Sequence, residues 1–250
     1  NYRKIATDLK AKIFEAYWND EKKALVHSRV NGVQSDNVTR YANMFGIFFD
    51  YFNKEQKEQV KQSVLLNDNV QKIVTPYMRF YELEALCAMG EQDYVLKEIK
   101  DYWGGMLDLG ATSFWEEYNP DKKGEEHYAM YGRQFGKSLC HAWGASPIYL
   151  MGKYYLGVQP LTAGYETYSV QPVLGGLKWM EGSVPTPGGD IKIYCSTNEI
   201  KVNSPVGTGV LKIKSRTKPV CKNAAVISKG NGLYEITLKK GQDYKIAYKL

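Results

Sequence analysis

The sequence predicts an α-then-β protein: a helical region over residues 1–160 followed by a small antiparallel β-sandwich over residues 161–250. Three observations predict it. Apolar residues recur at helical spacing up to Gly157. From about residue 162 the apolar period drops to two. The period-two runs are separated by turn-forming clusters, Pro187-Gly188-Gly189, Asn203-Ser204-Pro205 and Lys229-Gly230-Asn231-Gly232.

In the helical region, Ile5, Leu9, Ile13, Phe14 and Tyr17 share one face of a helix over 2–18. Ser35-Asp36 supplies a cap for a second helix carrying Val38, Tyr41, Phe45 and Phe48. A third, more polar helix covers 55–66. Pro76 fits the first turn of a fourth, which runs through Tyr77, Phe80, Leu83 and Leu86 and stops near Gly90. A fifth carries Tyr94, Leu96, Ile99, Tyr102 and Trp103, and Gly104-Gly105 is expected to end it. A sixth spans 138–155, with Pro147 kinking or splitting it. Strands are expected at Ile191-Lys-Ile-Tyr, Glu199-Ile-Lys-Val, Gly209-Val-Leu-Lys-Ile-Lys, Leu233-Tyr-Glu-Ile-Thr-Leu and Tyr244-Lys-Ile-Ala-Tyr. Helices paired in sequence and joined by long loops suggest an α/α toroid. Such a ring closes with about twelve helices, since each apolar stripe needs a facing partner. The helices read here make half of that, so the region is either part of a toroid or a small irregular bundle.

Composition narrows the function classes. With 44% hydrophobic and 24% charged residues in 250, disorder and coiled coil are excluded. No window is long and apolar enough for a membrane span, and the charges spread over 1–18 leave no apolar core for a signal peptide. Cys87, Cys140, Cys195 and Cys221 show no CxxC spacing and are expected to be buried or half-buried thiols. His27, His127 and His141 form no HExxH pattern, so no metal is expected, and no cofactor is implied. The net charge of +6 sits in the C-terminal third. Its lysines alternate with apolar residues, the pattern of a solvated sheet face rather than of a nucleic-acid site. Tyrosine and tryptophan are abundant, at 20 and 5 residues; aromatic faces suit sugar rings and cores alike.

Two segments carry the chemistry. Residues 107–120, LDLGATSFWEEYNP, lie in a loop between helices. A tryptophan followed by adjacent carboxylates suits a sugar-cleaving site, where one carboxylate is set against a water or a sugar hydroxyl and an aromatic wall shapes the pocket. Equally, Glu116 can cap the next helix and Trp115 can fill the core. The second segment, SLCHAWGASP at 138–147, sets His141 and Trp143 either side of an alanine. The small residues after them let a backbone approach a ligand or another helix. His141 is either a core residue or a ligand contact.

The run GATSFWEEYNP, followed some two dozen residues later by SLCHAWGASPIYLMGKYYLGVQP, resembles the C-terminal part of the bacterial α-L-rhamnosidases of glycoside hydrolase family 78. The resemblance spans most of the chain. It implies the C-terminal part of an (α/α)6 toroid of the six-hairpin glycosidase type, followed by a β-sandwich domain. It implies inverting removal of terminal α-L-rhamnose from a rhamnose-containing carbohydrate. By the same resemblance Glu116 is the general base, His141 lines the subsite of the cleaved sugar, and Trp115 and Trp143 are neighbouring pocket residues. Glu117 is expected to tolerate replacement. The family's general acid belongs to an acidic loop earlier in the toroid; no such loop occurs in this sequence, so the acid is expected upstream and the chain alone is expected to be inactive. A non-catalytic carbohydrate-binding or scaffold protein that retains the pocket is the alternative. Unpaired helix faces carrying Tyr41, Phe45, Phe48, Phe80 and Leu83 are expected to form a patch that a second copy can cover, giving a homodimer.

Overall fold

A computed structural model describes all 250 residues. They form two compact units, one of Asn1–Glu91 with Ile99–Ser146, the other of Gln92–Glu98 with Pro147–Leu250.

The first unit opens with α1 (Tyr2–Tyr17), capped by the Asn1 side chain and burying none of its residues. Two short ribbons follow, β1 (Trp18–Asn19) with β2 (Ala24–Leu25) and β3 (Arg29–Val30) with β4 (Val33–Gln34). These ribbons correct the expected start of the second helix. Ser35 N–H donates to Ser28 O, His27 N–H donates to Asn37 O, and Val38 bridges Val26. Backbone pairing thus consumes 35–38, and α2 (Arg40–Phe48) begins after Thr39. Helix α3 (Lys54–Val60) starts at a reciprocal Asn53–Gln56 capping box and passes into a π-helical turn over Lys61–Leu65. Pro76 occupies the first turn of α4 (Pro76–Ala88), as expected.

Helices α2 and α4 are joined through charge as well as apolar contact. Arg40 is wholly buried and pairs with the equally buried Glu82. Its remaining donors reach Leu65 O at 2.7 Å, Asn67 O at 2.9 Å and Val70 O at 3.1 Å. One guanidinium therefore ties three segments together and satisfies carbonyls that the π turn leaves open. Of the residues expected to form an unpaired patch, Leu83 is fully buried. Phe45, Phe48 and Phe80 are half-buried with their rings 5.1–5.2 Å from Tyr81. Tyr41 is exposed.

Helix α5 (Gln92–Asp108) runs straight through Gly104-Gly105. A Cβ at Gly105 would overlap the Tyr118 ring, whereas one at Gly104 would meet nothing within 4 Å. Gly105 is therefore there to seat Tyr118, not to stop the helix. The expected sixth helix is also shorter. Residues 138–141 are irregular, Ala142–Gly144 form a 3-10 turn, and α6 (Ser146–Leu150) starts with Pro147 in its first turn before a π-helical turn over Met151–Tyr155. Pro147 starts the helix because it has no N–H to give an interior hydrogen bond.

The second unit holds two five-stranded sheets. Its strands are β5 (Val158–Pro160), β6 (Thr167–Val170), β7 (Trp179–Val184), β8 (Ile191–Ser196), β9 (Glu199–Ser204), β10 (Thr208–Lys214), β11 (Val220–Cys221), β12 (Ile227–Gly230), β13 (Leu233–Lys239) and β14 (Gln242–Ala247). Their orders are β12-β13-β10-β6-β5 and β11-β14-β9-β8-β7. Every strand expected from the sequence is present. Ile191, Ile193, Ile200, Val202, Leu211, Ile213, Ile236, Leu238 and Ile246 are buried, while Lys192, Lys201 and Lys245 alternate with them toward solvent. Contrary to an all-antiparallel expectation, β6 pairs parallel to β10. Tyr168 on β6 bonds Ser204 on β9 at 2.6 Å, a buried polar link between the sheets. Cys87 and Cys195 are buried and Cys221 is half-buried, but Cys140 is exposed, because 138–141 is loop rather than helix. No helix is long and apolar enough to cross a membrane.

The two adjacent glycines of α5 give opposite expectations. Gly105→Ala displaces Tyr118 and costs about 1–3 kcal/mol. Gly104→Ala is neutral or stabilises by up to about 1 kcal/mol, since alanine is the better helix former. Urea denaturation of both variants checks the pair, and equal stabilities would show that Tyr118 does not depend on Gly105.

Candidate active site

The site is built from loop 109–141, which follows α5 and returns to the 3-10 turn before α6. Its two chemistry-bearing runs lie side by side. His141 N–H donates to Phe114 O at 2.7 Å, and Glu116 N–H donates to Ser138 O at 2.9 Å. The Ser113 hydroxyl adds a bond to Leu139 O. Gly144 makes the close approach possible: a Cβ there would lie 2.7 Å from Phe114 Cβ and 3.2 Å from Trp115 O. The small residues after His141 thus serve backbone contact with the WEE run. The loop is fixed to the helices at two more points. Tyr118 N–H and the Tyr102 hydroxyl both donate to Val74 O, at 3.1 and 2.6 Å, and Trp103 Nε1 donates to Gly144 O at 2.8 Å.

This framework brings Glu116 and His141 together. The Glu116 carboxylate is 6% exposed as a residue. Its Oε1 accepts from the Tyr131 hydroxyl at 2.6 Å and its Oε2 from Ser138 N–H at 3.1 Å. His141 Nδ1 stands 3.9 Å from Oε2, within electrostatic range but outside hydrogen-bond distance. The Tyr131 bond, foremost, and the Ser138 bond hold the carboxyl below its ordinary range, against the opposing effect of burial. The same bond pushes the Tyr131 hydroxyl up. Such a carboxylate is ionised at neutral pH and is suited to accept a proton.

The three aromatic candidates divide. Trp143 is 47% exposed, with its ring centroid 4.0 Å from that of His141 and stacked 5.2 Å from Tyr77 of α4. Together they make a partly open aromatic wall beside the histidine. Trp115 is 3% exposed and packs against Tyr128 at 5.8 Å, forming the backing of the loop. Glu117 is as buried as Glu116 and carries an ion pair with Lys122 at 2.8 Å. Its replacement leaves Lys122 without that partner, but Lys122 is half-buried and stays within reach of water.

Tyr131, Ser138 and Tyr77 were not among the residues singled out by sequence. Tyr131 has φ 55° and sits before Gly132 in a tight turn closed by mutual Met130–Arg133 backbone bonds. The Tyr-Gly pair is a turn signal, but nothing local says where its hydroxyl goes. Ser138 contributes a main-chain N–H, which any residue but proline supplies. Tyr77 belongs to a periodic helix face and looks like core.

Tyr131→Phe removes the bond that lowers the Glu116 carboxyl most. Because the folded carboxyl titrates below its unfolded value, the stabilisation is full above the ordinary carboxylate range and disappears as pH falls through the folded value. Denaturation of wild type and Tyr131→Phe across pH 2–7 (about 2–7, the carboxylate range) is expected to show a deficit at neutral pH that closes in acid. A deficit independent of pH would assign Tyr131 to packing alone.

Comparison with known proteins places these features in a family. The bacterial α-L-rhamnosidase six-hairpin glycosidase domain matches residues 1–155, and the bacterial α-L-rhamnosidase C-terminal domain matches residues 157–209. An α-L-rhamnosidase of Formosa agariphila is 29% identical over 199 residues, covering 75% of this chain and 21% of that protein. The family 78 rhamnosidase of Bacillus sp. GL1 superposes with TM-score 0.63 at 27% identity, over 78% of this chain and 20% of that one. The Streptomyces avermitilis α-L-rhamnosidase, solved with L-rhamnose, matches in fold with TM-score 0.75 at 14% identity, over 99% of this chain and 24% of that one. The chain spans about a fifth to a quarter of the length of these relatives. With its two units matched in turn by these two domains, the chain belongs to the bacterial α-L-rhamnosidase family.

Proposed function

We propose that the protein to which this chain belongs removes terminal α-L-rhamnose from glycosides or polysaccharides by inverting hydrolysis, with Glu116 as the general base. The observation that carries the proposal is the Glu116 carboxylate: buried, kept ionised by two neutral donors, and adjacent to a histidine and an open aromatic wall. In this reading Glu116 takes a proton from a water as that water attacks the anomeric carbon. The bond to the leaving oxygen breaks on the opposite face, and configuration inverts. An inverting site needs a second carboxyl group, protonated, about 6.5–9.5 Å from the first. We assign that acid to a part of the protein outside these residues, in keeping with the fraction of the relatives' length that they span. His141 offers an imidazole to a sugar hydroxyl, and Trp143 with Tyr77 offers an apolar face to the ring. Trp115 supports the loop from behind.

Turnover of an aryl α-L-rhamnoside by the longer protein tests the base. Glu116→Gln keeps the shape of the side chain but cannot take the proton, and it is expected to lower kcat about 10²- to 10⁴-fold. Retention of a third or more of the activity would remove Glu116 from that role. His141→Ala is expected to weaken rhamnose binding by about 1–3 kcal/mol, the cost of one lost hydrogen bond at a half-buried site, with little change in melting temperature. A large drop in melting temperature at unchanged affinity would make His141 a packing residue.

A further inference from the structure

The outward face of the sheet β11-β14-β9-β8-β7 carries an exposed aromatic pair. Met180, Ile193 and Cys195 are buried, so Trp179 on β7 and Tyr194 on β8 turn the other way, toward solvent. Their ring centroids are 6.4 Å apart and the rings lie at 22° to one another. Trp179 is 59% exposed, the most exposed of the five tryptophans. Polar side chains continue from the rings in two cross-strand rows. Strand register sets Glu181, Tyr194, Lys201 and Lys245 side by side, and Ser183, Lys192, Asn203 and Asp243 beside them. Residues of both rows line a shallow cleft of about 370 Å³, within the size range of small-ligand sites. Lys201 Nζ stands 4.9 Å from the Tyr194 ring centroid.

The charges of this face cancel. Lys192, Lys201 and Lys245 stand against Glu181, Glu199 and Asp243. Glu199 pairs with Lys201 at 3.1 Å and with Lys245 at 2.8 Å, and Asn203 Nδ2 donates to Asp243 Oδ1 at 2.6 Å. Although the whole chain carries +6, this face offers a polyanion no net charge to bind. A protein partner fits it no better, since the centre of a protein–protein contact is depleted in charged residues and here they border both rings. A neutral sugar chain meets both features. Each pyranose ring has a face of C–H groups that an aromatic ring can cover, and a rim of hydroxyls that need donors and acceptors. We propose that the Trp179–Tyr194 surface binds a neutral carbohydrate chain. The sugar rings lie on the indole and phenol rings, and their hydroxyls bond the Glu181 carboxylate, the Lys192 ammonium and the Asn203 side-chain carbonyl. This site uses no group of the loop that holds Glu116, so it stands independently of the proposed function.

The test is affinity electrophoresis of the chain in native gels containing galactomannan, mixed-linkage β-glucan, arabinoxylan or a neutral rhamnan. At least one of these polysaccharides is expected to slow the wild-type chain. Trp179→Ala and Tyr194→Ala are each expected to weaken that binding about tenfold, and Trp179→Ala is expected to melt with the wild type because its side chain is exposed. An unretarded wild type in all the gels overturns the proposal. Retardation undiminished in folded Trp179→Ala overturns it too, because the sugar would then bind elsewhere on the chain. If either aromatic variant does not fold, Glu181→Ala, which changes an exposed side chain, must show the weakened binding in its place, and full retardation there overturns the proposal equally. Sedimentation without sugar tests the other occupant of the face: a dimer that Trp179→Ala converts to monomers would assign the surface to a second copy and overturn the carbohydrate site. No turnover is read, so absence of rhamnoside hydrolysis in the longer protein counts against the proposed function alone.

Discussion

Two main-chain hydrogen bonds, His141 N–H to Phe114 O and Glu116 N–H to Ser138 O, bring Glu116 and His141 to one place. They align two runs more than twenty residues apart in the chain, so that a carboxylate from one and an imidazole from the other meet. Each bond is of the ordinary kind, worth about 1 kcal/mol net. Their effect comes from geometry. Once 114–116 and 138–141 are side by side, Ser138 N–H points at the Glu116 carboxylate and Gly144 is forced against Phe114. The small-residue stretch after His141 and the WEE run thus form one structural element, although neither is regular secondary structure.

The two units reach stability by different means. In the second, alternating strands bury aliphatic rows, and the polar exceptions are single bonds such as Tyr168 to Ser204. The first buries charge. Arg40, Arg79, Glu82, Glu84, Glu116, Glu117 and Lys137 are all nearly inaccessible. Breaking a buried pair such as Arg40–Glu82 costs about 3–5 kcal/mol, because the surviving charge is stranded. Such a core tolerates little substitution.

How much of this the sequence discloses depends on how local the cause is. The period-two rows of β8, β9, β10, β13 and β14 follow from side-chain alternation, and all were legible. The start of α4 at Pro76 was equally plain. Misreadings arose where a distant partner decides. Ser35-Asp36 looks like a helix cap until Ser28, Asn37 and Val26 take up its neighbourhood. Gly104-Gly105 looks like a helix stop until Tyr118 claims the space above Gly105. Ser138 and His141 stand in a stretch of helical composition but give their N–H groups to the run beside them. In the site, Glu116 and His141 were marked by their motifs. Tyr131 was not, since its importance lies in where a turn delivers a hydroxyl.

The path of the chain through the two sheets bears on how the second unit folds. β5 and β6 lie in one sheet, β7 to β9 in the other, and β10 returns to pair in parallel with β6. The chain then crosses again to β11, back to β12 and β13, and once more to β14. Neither sheet can be completed while the other is unformed, and the closing pairs join strands far apart in sequence. Such non-local pairings raise the contact order, which slows assembly. They also leave no partial structure to survive alone: peeling off β14 exposes both its own sheet and the chain returning from the other. Loss of order in this unit is therefore all-or-none, and its amide protons are expected to exchange through one shared opening rather than strand by strand.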